Sequence, residues 1–66
     1  MEYTNSLIRC LIAEHIHSAR DRDVLEHRLV DGMTYSALAL EHGMSERQIK
    51  NIVYKGEAVI FKHLPG

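Results

Sequence analysis

Apolar positions recur at helical spacing along almost the whole chain, and strand-type alternation is absent. Leu7, Ile8, Leu11, Ile12 and Ile16 lay one stripe along a first helix, about 5–17, with His15 inside that stripe. Ser18 then reads as an N-cap, with Asp21 three positions on as an acidic counterpart of a capping box. Val24, Leu25 and Leu29 form the inner face of a second helix, about 19–31. Gly32 follows as its C-cap, and Met33 is placed for the hydrophobic contact that accompanies such an end. Thr34 caps a short third helix, 35–42, with Tyr35, Leu38 and Ala39 facing inward and Gly43 closing it. Ser45 and Gln48 make a capping box that opens a fourth helix, 46–63. Its inward stripe is Ile49, Ile52, Val53, Gly56, Val59 and Ile60. Four helices with joints of one to three residues predict an all-α fold, a small four-helix bundle in one domain spanning 1–66.

The stretch 35–54 carries more than a helix pattern. A helix-turn-helix needs two helices crossing steeply through a very short turn. Gly43 supplies a residue that tolerates a left-handed backbone, and Ala39 supplies a small side chain where the helices approach. Leu38, Met44, Ile49 and Ile52 supply the shared apolar core at the offsets the motif needs. All six requirements are met in step. On the helical wheel Arg47, Lys50, Asn51 and Tyr54 fall opposite or beside the Ile49/Ile52/Val53 stripe. They therefore project towards solvent or a partner.

Charge sharpens this. The net charge is −1, which is low for a nucleic-acid binder. Residues 1–44 hold four Lys/Arg against seven Asp/Glu, whereas 45–66 hold four against two. The positive charge is thus collected on the last helix. Arg47 has the chemistry for a guanine edge and Asn51 for an adenine edge. Lys50 and Lys55 suit phosphates, which position without specifying. The helix N-terminus at Ser45 offers free N–H groups to a phosphate. Glu46 has two readings, acceptance from a cytosine amine or simple stabilisation of the helix start. Tyr54 divides evenly between a contact residue and a cover for the bundle.

Residues 18–64 resemble region four of bacterial RNA polymerase sigma factors. The resemblance is carried by Arg20–Gly32, Met33–Ala39 and Gly43–Lys50, the Gly43-Met-Ser-Glu-Arg47 joint being its most specific part. It implies that the helix opening at Ser45 enters the major groove, with Ser45, Glu46, Arg47, Lys50, Asn51 and Tyr54 facing double-stranded DNA. It also implies a bacterial, phage or mobile-element origin and RNA polymerase as an alternative partner. Three departures stand out. His42 and His27 occupy usually apolar positions, and Leu40 stands where a charge is usual, which leaves it exposed. The other sigma-factor regions are absent from the chain, so the expectation is a stand-alone regulator of transcription rather than a complete sigma factor. The alternative is a module that keeps the fold and binds a protein partner, which the low charge and the outward Leu40 and Phe61 favour.

Helix 5–17 lies outside the resemblance. It either completes a small core or, with the 56–64 segment, supplies a homodimer surface suited to paired half-sites. Gly56, inside the last helix, costs about 1 kcal/mol relative to Ala and suits a close approach or a bend. Cys10 stands alone and cannot form an internal disulfide, which fits a reducing cytoplasm. No apolar run is long enough to span a membrane. No metal site is expected, since the five histidines and Cys10 show no ligand spacing; His15 and His42 read as core histidines with a hydrogen-bond partner. No cofactor, small-molecule substrate or catalysis is expected, there being no phosphate loop or nucleophile motif and little room for a concave pocket.

Overall fold

The computed structural model describes residues 4–64 and consists there of four helices without strands. They are α1 (Asn5–His15), α2 (Ala19–Leu29), α3 (Tyr35–His42) and α4 (Glu46–His63). Each opens on a hydroxyl cap. Thr4, Ser18, Thr34 and Ser45 accept from the backbone N–H three residues on. That satisfies one of the donors every helix start leaves without a partner.

Two helix ends fall earlier than the apolar pattern predicts. α1 stops at His15 rather than near 17, because Ile16 turns to extended backbone (φ −107°, ψ 115°) and buries its side chain. The Arg22 guanidinium donates to the carbonyls of Ile16 and His17 at 2.9 and 3.1 Å, closing the joint. α2 stops at Leu29, with Val30 as its cap, and Gly32 takes the left-handed conformation (φ 72°) two residues later. The Met33 N–H then bonds back to the His27 carbonyl at 3.1 Å.

The core is split into two clusters that share α2 and α4. Leu11, Ile12 and Ile16 of the α1 segment meet Leu25 and Ile60 in one. Val24, Leu38, Ile49 and Val53 make the other. The adjacent residues Val24 and Leu25 therefore serve opposite ends of the molecule, each fully buried. The same division runs along α4, whose first half packs on α3 and whose second half packs on α1. Gly56 lies between the halves, buried, and a Cβ there would fall within the Leu25 side chain. The close-approach reading of Gly56 is thus the one the packing explains. Among the described residues no helix is long and apolar enough to cross a membrane.

Candidate nucleic-acid interface

The three residues Gly43-Met44-Ser45 separate α3 from α4. Gly43 has φ 63° and ψ 36°, a left-handed backbone that a Cβ opposes. Both Gly43 and Met44 donate their N–H to the Ala39 carbonyl, Met44 at 3.0 Å, so the end of α3 is tied off within two residues. Ser45 and Gln48 then form the reciprocal capping box, with bonds of 3.0 Å from the Ser45 N–H and 3.1 Å to the Ser45 hydroxyl. Of the four donors a helix start leaves open, those of Glu46 and Arg47 remain for an outside acceptor. By contrast, Ser18 receives the Asp21 N–H while the Asp21 carboxylate holds Arg20, so only half of that capping box forms.

Burial along α4 fixes which face is free. Ile49, Val53, Gly56 and Ile60 are buried, while Arg47, Asn51, Tyr54 and Lys55 are exposed and Lys50 is half-buried. At 3.6 residues per turn, the order round the helix is Lys50, Tyr54, Arg47, Asn51, Lys55, an arc of about 140°. The buried stripe is centred almost opposite that arc. The two lysines stand at its edges, with Arg47, Asn51 and Tyr54 between them. Tyr54 is 57% exposed, so it does not cover the bundle.

The neighbouring helices hold the ends of this face. Lys50 Nζ lies 5.5 Å from the centre of the Tyr35 ring, and the Arg28 guanidinium lies 4.3 Å from the same ring. Such cation–π contacts restrain long side chains that would otherwise wander. Arg28 also donates to the Met33 carbonyl at 2.8 Å, which ties the α2–α3 joint to the cluster. Glu46 accepts from the Ser36 hydroxyl at 3.2 Å, so its carboxylate bridges α4 to α3 across the turn. This favours its structural reading over a base contact. The pairings of Arg28 and Lys50 with Tyr35 were outside the sequence reading. No local spacing signals them, since Arg28 is on α2, Tyr35 opens α3 and Lys50 is on α4.

On the other flank, Asn51 and Lys55 border an open groove of about 410 Å³ between α4 and the α1–α2 joint. The sequence suggested little room for such a concavity. The α1–α2 joint, His15 to Ser18, lines one side of it.

The histidines do not sit as expected. His15 is half-buried and stacks face to face on His63, with ring centres 3.7 Å apart and planes within 3°. His42 is also half-buried, and its Nε2, like Nδ1 of His27, is enclosed without a hydrogen-bond partner. The two rings lie 5.6 Å apart on α2 and α3. The expectation of a partnered His42 is therefore corrected: its enclosed Nε2 meets no hydrogen-bond donor or acceptor. No group of three or more His, Cys, Asp or Glu among the described residues is arranged to hold a metal. Leu40 (87% exposed) and Phe61 (54%) face outward, as the wheel places them.

No family model matches the chain, and no curated protein or solved structure matches it either.

Proposed function

We propose that the chain is a DNA-binding regulator of transcription. In this reading α3 and α4 form a helix-turn-helix similar to sigma-factor region four, and the first half of α4 lies in the major groove. The observation that carries it is the arc on α4. Lys50, half-buried, and Lys55, exposed, flank the exposed Arg47, Asn51 and Tyr54, and the opposite side of α4 carries the buried stripe Ile49, Val53, Gly56 and Ile60. Lysines at the edges suit the two phosphate walls of a groove, and the central polar groups suit base edges. The unpaired N–H groups of Glu46 and Arg47 at the helix start suit a further phosphate. Arg28, held beside Lys50 by Tyr35, adds a positive charge on the Lys50 edge. The setting is a reducing cytoplasm, and a homodimer through 5–17 and 56–64 would supply the second half-site.

The reading is tested by titrating a mixed-sequence duplex into the isotopically labelled chain and following backbone amide shifts. Shifts concentrated on residues 45–55 support it. Shifts confined to α1 and the far end of α4, or none at low salt, overturn it.

A second reading has its own observation. Leu40 on α3 and Phe61 on the second half of α4 are exposed large hydrophobic side chains. A module that docks on RNA polymerase or another regulator would use such apolar points. Leu40→Ser and Phe61→Ser should then abolish co-purification of the partner while leaving duplex binding intact.

A further inference from the structure

The groove between α4 and the α1–α2 joint is an open concavity. Its volume of about 410 Å³ lies within the range of roughly 300–1,000 Å³ typical of ligand pockets. The floor is apolar, made by Ile16, Ile52 and Val59 beside the bare backbone of Gly56. Gly56 contributes backbone alone, because the buried Leu25 side chain occupies the place of its Cβ. One wall is the His15 imidazole, kept flat by its stack on His63.

The polar side of the groove is cationic. Arg20 and Lys55 line it, opposed by the single carboxylate of Asp21. That carboxylate accepts from Arg20 Nε at 3.3 Å, which leaves both terminal amino groups of the guanidinium for another acceptor. The groove also abuts the start of α2, where the Ser18 hydroxyl takes the Asp21 N–H and those of Ala19 and Arg20 stay free. An apolar floor bordered by two cations and open N–H donors complements one ligand class.

We propose that this groove binds a small amphipathic organic anion. Its alkyl or acyl body lies on the Ile16, Ile52 and Val59 floor, and its carboxylate or phosphate turns towards Arg20, Lys55 and the start of α2. The site borders Asn51 and Lys55, but it does not rest on the DNA-binding reading.

The probe is octyl phosphate below its micelle concentration, titrated into the labelled full chain with amide shifts followed by NMR. Inorganic phosphate and 1-octanol are run in parallel, as are Lys55→Gln and the Arg20→Gln/Lys55→Gln double variant. Both residues are exposed, so the variants should keep the wild-type helical spectrum. The expected result is saturable sub-millimolar binding with shifts at Arg20, Ile52 and Gly56. It should be at least several-fold weaker for either half-probe and for the double variant. No saturable shift at these residues up to several millimolar, or equal affinity for 1-octanol, for phosphate alone or for the double variant, would overturn it. So would binding seen only with anionic phospholipid vesicles.

Discussion

The side chain of Leu25 rests directly on the backbone of Gly56. A Cβ built on Gly56 would lie 2.9 Å from Leu25 Cγ and closer still to both methyls. Leu25 is fully buried, so moving it aside would disturb the packing round it. This contact joins α2 to the middle of α4, where the two core clusters meet.

Gly56→Ala should therefore lower stability although it improves helix propensity. The propensity gain is about 1 kcal/mol, and overpacking a closed core costs typically about 1–3 kcal/mol. A net loss on the order of 1 kcal/mol lowers the melting temperature by about 4–8 °C in a domain of this size. Leu25→Val in the same background should recover part of the loss although it is destabilising alone. Additive effects from thermal melts would show that the two residues are not in contact.

Gly43 should tolerate Asn better than Ala. With φ 63°, any Cβ is strained, by about 1–2 kcal/mol for an ordinary residue. Asn accepts this backbone more readily because its side chain bonds locally. Urea midpoints should fall in the order wild type, Gly43→Asn, Gly43→Ala. If Gly43→Ala matches the wild type, the turn does not hold its left-handed form.

His42→Leu should stabilise the fold. The enclosed Nε2 has no partner, and an unsatisfied buried polar atom costs about 1–3 kcal/mol. A residue of similar size without that atom should raise the melting temperature by several degrees. An unchanged or lower value would show that His42 has a stabilising partner.

Much of this was legible in the chain, element by element. The caps at Ser18, Thr34 and Ser45 announce themselves by residue type, and the α4 stripe follows from spacing alone. α3 and α4 have the predicted ends because Gly43 and Ser45 are local signals. The ends of α1 and α2 were legible only to within two residues, because hydrogen bonds reaching back five or six residues set them. Arg22 reaches back to the Ile16 and His17 carbonyls, and Met33 reaches back to His27. The free face of α4 was visible on the wheel, yet what restrains it was not. Tyr35 holds Lys50 from another helix, and Ser36 occupies Glu46 across the turn. The histidines misled for the same reason: a wheel shows which face a ring is on, but not whether its nitrogens meet a donor or acceptor there.

The most direct test of the central claim is duplex affinity measured by fluorescence anisotropy across a salt series, for wild type and the Arg47→Ala/Lys50→Ala variant. Each phosphate contact adds about −0.9 to the slope of log affinity against log salt. The wild type should show a clear negative slope. The variant should bind more weakly with a slope flatter by about 1, from losing Lys50. A folded wild type that fails to bind any duplex at low salt, or a variant with unchanged affinity and slope, would contradict the account.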